Sequence, residues 1–239
     1  MIQWGRSLIF VVQMYAMMAL MGLAFFPLAL VSARGAVWAC KTYCVWVRWT
    51  ARWMVGIRSE VRGPIPDGNI LVASKHQSFF DIILIYSALP SARFIMKREL
   101  MWAPVIGQYA LRLGCIPVDR GKRGEAIRKM VADVAAGATR PGQLVIYPQG
   151  TRVAPGATVS YKVGSAVLYS QFGHACAPAA TNVGLFWPRK GLRRTPGLAV
   201  VEFLPVIEPG LDNATFMARL ETEVEAASDR LMAEGGFHA

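Results

Sequence analysis

From Ser7 to Ala33 the chain carries no charged residue and is made mostly of Leu, Met, Ala, Phe and Val. As a helix this run is long enough to cross a bilayer hydrocarbon core of about 30 Å. A segment so apolar must be covered by lipid or by protein, and its length favours lipid. A signal peptide is the competing reading, but the run exceeds the about 7–15 apolar residues typical of one, and the residues after Ala33 do not read as a mature start. Pro27 can kink the run, so both a spanning and a re-entrant geometry fit the pattern. With 54% apolar residues and a mean hydropathy of +0.35, a chain of 239 residues suits one sizeable domain with a membrane-seeking appendage.

The next segment, 36–57, differs in kind. On a helical wheel Trp38, Trp46, Trp49 and Trp53 fall within an arc of roughly 80°, and Lys41, Arg48 and Arg52 form a stripe beside it. That pattern predicts a helix lying in the membrane interface, with indoles at headgroup depth and cations on lipid phosphates. The alternative is a Trp stripe packed as core. The basic residues from Arg34 to Arg62 place the bulk of the chain on the cytoplasmic face of the inner membrane by the positive-inside rule.

The formal charge of +11 is uneven. Residues 1–62 carry seven Lys/Arg against one acid, residues 126–205 nine against two, and residues 206–239 two against seven. Beside an apolar N-terminus, a local basic excess favours an anionic membrane or a phosphorylated substrate, and no nucleic-acid-binding signature accompanies it. Cys40, Cys44, Cys115 and Cys176 have no metal-ligand spacing and read as reduced thiols. The dinucleotide, P-loop, nucleophile-elbow and zincin motifs are missing, and no metal or cofactor is called for.

Beyond 63–68 the pattern becomes α/β. Strands are expected near 70–74, 93–96, 115–118, 143–147, 176–182 and 198–206. Helices are expected near 79–89, 99–113, 124–136, 163–172 and 214–233. The predicted fold class is α/β, a mixed sheet flanked by helices and preceded by an N-terminal membrane-embedded or interfacial helical pair. The division is 1–62 for the helices and 63–239 for the α/β domain.

The chemistry concentrates at the end of the apolar run 70–73, where His76 precedes Asp81 by five positions. A strand-to-helix turn is where α/β proteins place reactive groups. Ser78 and Asp81 also fit a plain helix cap with a first-turn carboxylate. Lys97-Arg98, Asp119-Arg120 and Tyr147-Pro-Gln-Gly-Thr-Arg152 close later strands and can converge on the same edge, where arginine forks and a glycine backbone suit a phosphomonoester.

These blocks, in this order, resemble the membrane glycerolipid acyltransferases of the 1-acyl-sn-glycerol-3-phosphate acyltransferase type. His76-Gln-Ser-Phe-Phe-Asp81 looks like the family's His-x4-Asp block, led by Lys75 where Asn is frequent. Gly114-Cys-Ile-Pro-Val-Asp-Arg120 looks like its second block, Tyr147 to Arg152 like its Phe-Pro-Glu-Gly-Thr-Arg block, and Ala177-Pro-Ala-Ala like its fourth. Gln149 stands where Glu is usual. The resemblance implies transfer of a fatty acyl chain from acyl-ACP or acyl-CoA to the sn-2 hydroxyl of lysophosphatidic acid, giving phosphatidic acid at the membrane. His76 would be the general base and Asp81 its orienting partner. Lys97, Arg120, Gly150, Thr151 and Arg152 would hold the phosphate, with Gln149 bracing the loop. Backbone N–H groups near the turn or in 149–151 would meet the oxyanion. The competing readings are an acyltransferase for another lysolipid, such as lyso-ornithine lipid or a lysophospholipid, and a non-catalytic protein that binds anionic lipid.

Overall fold

The computed structural model describes residues 1–119, 123–136 and 142–237. Its sheet alternates with helices because the strands alternate in what they bury. In β2 (Ile70–Ser74), Val72 faces one core while Leu71 and Ala73 face another. In β5 (Gln143–Ile146), Val145 and the pair Leu144 and Ile146 divide in the same way. A strand buried on both faces needs a layer on each.

Five further strands complete the sheet: β1 (Ile57–Arg62), β3 (Ala92–Lys97), β4 (Ile116–Val118), β6 (Cys176–Thr181) and β7 (Gly197–Phe203). The order is β1-β7-β6-β2-β5-β3-β4, with β6 and β7 antiparallel and every other pair parallel. The mixed sheet flanked by helices is therefore as predicted. The strand at 57–62 is not foreseen by the pattern. Its charged, half-exposed residues read as tail to the preceding helix, yet they pair along β7 at the sheet edge.

The N-terminal helical pair is present as predicted and folds into a hairpin, with the apolar run 7–33 itself broken at Phe25. Helix α1 (Ile2–Ala24) ends at Phe25, α2 (Phe26–Val31) starts with Pro27 in its first turn, and α3 (Ala33–Thr50) is capped by the Ser32 hydroxyl. A π-helical turn (Ala51–Val55) completes the segment. Helix α3 returns antiparallel to α1: Trp46 Nε1 donates to Gln13 Oε1 (3.1 Å), Tyr43 Oη to the Met14 carbonyl (3.3 Å), and Arg6 Nε to the Met54 carbonyl (2.6 Å).

The hairpin lies along the α/β domain. Near its start, Arg194 N donates to Ser7 Oγ (2.9 Å) and Phe10 packs edge-on against Trp187. Near its tip, Tyr109 Oη donates to the Gly22 carbonyl (3.0 Å), and a Cβ on Gly22 would come within 2.3 Å of Val105. Phe10, Met14, Val47 and Val55 share one buried cluster with Val72, Val145 and Ala199 of the sheet. The outward face carries Trp38, Trp49 and Trp53, exposed by 52%, 54% and 67%, while Trp46 is turned partly inward.

Two expectations are corrected. The helix predicted over 99–113 is a 3-10 turn (Arg98–Trp102), a break at 103–105, and α5 (Ile106–Leu113). Pro104 offers no N–H and drives Ala103 into the extended region, where it is found. Arg48 does not belong to a lipid-facing basic stripe. Its guanidinium is half-buried and bonds Ser59 Oγ (3.0 Å) and Ser87 Oγ (2.9 Å), tying α3 to β1 and to α4 (Phe80–Ala88). Helix α4 lies on the hairpin side of the sheet. On the other side lie α6 (Arg123–Ala136), α7 (Gly164–Phe172) and α8 (Asn213–Glu234), the last burying Phe216, Leu220, Val224 and Leu231 behind an Asp212 cap.

Candidate active site

Strands β2, β5 and β3 run parallel in near register, with Ala73 opposite Ile146 and Phe94 opposite Val145. Their carboxyl ends therefore open on one edge, where Lys97 ends β3 and the segments beyond β2 and β5 carry His76 and the 147–152 turn. This topology gathers residues far apart in sequence.

His76 lies in the turn between β2 and α4, and its Nδ1 is 2.9 Å from Asp81 Oδ1. Asp81 is fully buried in the first turn of α4, and its Oδ2 accepts from the backbone N–H of Gln77 and of Ser78, both at 2.8 Å. A buried carboxylate so supplied with donors stays in place. A carboxylate can only accept, so this contact uses Nδ1 as the donor, and in the neutral ring the lone pair then lies on Nε2. The His76 side chain is 12% exposed, so the ring is largely walled in but reachable. The cap and the dyad are thus the same carboxylate.

Tyr147 is a further member that sequence did not single out. Its ring stacks on the imidazole at 3.9 Å between centroids and 18° between planes, and its hydroxyl donates to Asp81 Oδ1 (3.3 Å). Burial first, then the Asp81 charge, pushes the phenol well above its ordinary range, so it remains a donor. Ser78 is buried and its Oγ accepts from Phe80 N (3.1 Å), a local cap rather than a presented nucleophile.

In the second loop, Gly150 has φ +68°, a left-handed conformation suited to glycine, and its N–H donates to the Tyr147 carbonyl (2.8 Å). This bond commits one of the amides expected to meet an oxyanion, just as Asp81 commits those of Gln77 and Ser78. Lys162 Nζ would lie 2.7 Å from a Cβ at Gly150, so this lysine crosses the turn. Thr151 and Arg152 come next, both half-buried, and the Arg152 carbonyl accepts from Arg189 Nη1 (3.0 Å). Lys162 and Arg189 thus join the loop, although in sequence they look like any solvated cation.

Lys97 ends β3 with a half-exposed side chain paired to Glu99 (3.0 Å). Arg120 lies outside the described residues. Gln149 is buried, with Nε2 donating to Glu225 Oε1 (3.4 Å) and Oε1 left without a partner among the described residues. Pro178 of the fourth block sits in β6 opposite Ala73, flooring the turn, and Ala179 O accepts from Lys75 N (2.9 Å). Burial pushes the Cys176 thiol up to about 12, which leaves it unreactive. Among the described residues no group of three His, Cys, Asp or Glu side chains is set to hold a metal.

A family model described as Acyltransferase matches residues 57–182, beginning at the first residue of β1. The 1-acyl-sn-glycerol-3-phosphate acyltransferase of Pseudomonas aeruginosa is 28% identical over 81% of this chain and 76% of its own length. The 1-acyl-sn-glycerol-3-phosphate acyltransferase alpha of Homo sapiens is 32% identical over 65% of this chain, which spans 57% of that protein. The crystal structure of the 1-acyl-sn-glycerophosphate (LPA) acyltransferase from Thermotoga maritima superposes with a TM-score of 0.81, covering 97% of this chain and 98% of its own at 20% identity.

Proposed function

The chain belongs to the acyltransferase family, and on that premise we propose that it moves a fatty acyl chain from acyl-ACP or acyl-CoA to the sn-2 hydroxyl of lysophosphatidate, giving phosphatidate. The observation that carries this reading is the dyad, with Nδ1 of His76 held by buried Asp81 and Nε2 left as a base. The acceptor hydroxyl gives its proton to Nε2 as its oxygen attacks the thioester carbonyl. The tetrahedral intermediate collapses with cleavage of the C–S bond, and the imidazolium returns the proton to the departing thiolate. Asp81 stabilises the imidazolium in between, as the carboxylate of a Ser-His-Asp triad does, and no acyl-enzyme is required.

A phosphomonoester suits the loop crossed by Lys162 and closed by Arg152 and Arg189. The names of the Pseudomonas and human relatives support the same acceptor. For Lys97, an exposed lysine paired with Glu99, a swing toward the phosphate is part of the proposal.

The membrane enters through the hairpin. Among the described residues, α1 is the one helix that by length and composition qualifies as a span, with only 17% of its apolar window buried. Because the hairpin is fastened to the domain near both ends, it cannot project from it as a free rod. The proposed placement is therefore in one leaflet, cytoplasmic side, outer face down, with the lysolipid held in the bilayer and the carrier arriving from water.

Purified protein in vesicles, given radiolabelled acyl-ACP or acyl-CoA and a panel of lysophosphatidate, lysophosphatidylcholine and lyso-ornithine lipid, tests the reading. Labelled phosphatidate is expected. Transfer only to an acceptor lacking a phosphomonoester would move the substrate assignment, and no transfer at all would leave a protein that merely binds anionic lipid.

A further inference from the structure

Two departures from the acyltransferase pattern, Lys75 before the histidine and Gln149 in the third block, meet at one carboxylate contributed from the far end of the chain. Lys75 is 2% exposed, and its Nζ pairs with Glu225 Oε2 of α8, 150 positions away. The other oxygen of Glu225 accepts from Gln149 Nε2 (3.4 Å) and from the Tyr161 hydroxyl (2.9 Å). Burial first, then the Glu225 charge, keeps the Tyr161 phenol protonated. One carboxylate thus receives donors from three segments: the residue preceding His76, the loop that carries Arg152, and the segment leading into α7.

The charges of this set depend on one another. A lysine so buried requires a counter-charge: Glu225, itself 28% exposed, supplies it, and its removal would leave the buried ammonium uncompensated. Gln149 fits beside Glu225 only because an amide can donate. A Glu at 149 would set two carboxylates face to face where an amide now donates. The same segments are also joined through their backbones: Val153 N donates to the His76 carbonyl (2.7 Å) and Lys162 N to the Pro148 carbonyl (2.9 Å).

We propose that Glu225 is a positioning residue of the acyl-transfer site, supplying from α8 the carboxylate that locks the His76 turn to the 147–152 loop, and that Lys75, Gln149 and Glu225 form one exchangeable charge set. This rests on the reading of His76 as the general base. Glu225 acts through Lys75 and Gln149, so its loss displaces the base rather than removing a substrate contact. The effect falls on kcat more than on the acceptor KM.

The test uses the full chain in vesicles, with lysophosphatidate and acyl-ACP or acyl-CoA, and the melting temperature of each variant without substrate. The variants are Glu225→Gln, Gln149→Glu and the double change, which moves the carboxylate from α8 into the loop and keeps the net charge of the set. Each single change is expected to lower kcat at least tenfold with the acceptor KM within twofold, and the double change to restore kcat to within threefold of the unchanged protein. Should Glu225→Gln fail to fold, Gln149→Glu against the double variant carries the same comparison. A double variant no better than the worse single variant overturns the charge set. Recovery of melting temperature without recovery of kcat overturns the positioning role and leaves a structural one. Single variants as active as the unchanged protein overturn the inference alone, whereas an unchanged protein with no transfer to any acceptor overturns the reading of the site beneath it.

Discussion

Asp81 accepts from His76, from Tyr147 and from two backbone N–H groups, so its replacement has two separable consequences. Asp81→Asn is expected to lower kcat by orders of magnitude, about 10⁴-fold by analogy with a triad that loses its tautomer control, and to cost some stability as the turn loosens. His76→Ala should lower kcat by ~10²–10⁴-fold, and also lower the melting temperature as the stack on Tyr147 and the bond to Asp81 are lost. Tyr147→Phe keeps the stack and loses one long hydrogen bond, a cost of about 1 kcal/mol at most. If Asp81→Asn lowers the melting temperature and spares kcat, the carboxylate is only a cap. For the cations, Lys162→Ala and Arg189→Ala should each raise the KM for lysophosphatidate several-fold and leave that of the acyl donor unchanged, with Arg152→Ala the most severe. Unaltered acceptor KM in all three would place the phosphate elsewhere. The dyad was legible because His76 and Asp81 lie within one turn and meet through local geometry. Lys162 and Arg189 were not, because a cation brought in by folding has the same sequence as one left in water.

At the scale of elements, the basic stripe of α3 divides by function. Arg48 joins α3 to β1 and α4, so Arg48→Gln should destabilise by about 1.5–3 kcal/mol, read by chemical denaturation, without altering lipid preference. Lys41→Gln with Arg52→Gln should do the reverse, reducing the preference for anionic vesicles by about 1 kcal/mol per charge near the surface. A lipid effect of Arg48→Gln equal to theirs would return all three cations to one lipid-facing stripe. Changing exposed Trp38, Trp49 and Trp53 to Ser should weaken vesicle binding with little change in melting temperature. A large fall in melting temperature with partitioning unchanged would instead mark them as packing residues. The helical wheel gathers the four tryptophans on one side, but burial depends on which way that side is turned, and Trp46 is drawn inward by Gln13.

Over the whole molecule, the hairpin and the sheet share a core, so the N-terminal helices are a wall of the domain as well as its membrane face. Phe10→Ala should therefore cost about 3–5 kcal/mol of the stability of the entire protein, read as one cooperative unfolding transition in detergent. Two separate transitions would mean a detachable anchor. What the sequence determined by itself was whatever is encoded between near neighbours: period-two burial of the strands, the apolar face of α8, and the contact of His76 with Asp81; the break at Pro104 is just as local, but the apolar pattern over 99–113 masked it. The tertiary structure decided the rest: the edge strand at 57–62, the hairpin laid along the domain, and the carboxylate of Glu225 beneath the site. These depend on strand order and on which faces pack together, and such pairings leave no mark in the local pattern because each partner taken alone is an ordinary surface charge or an ordinary apolar stripe.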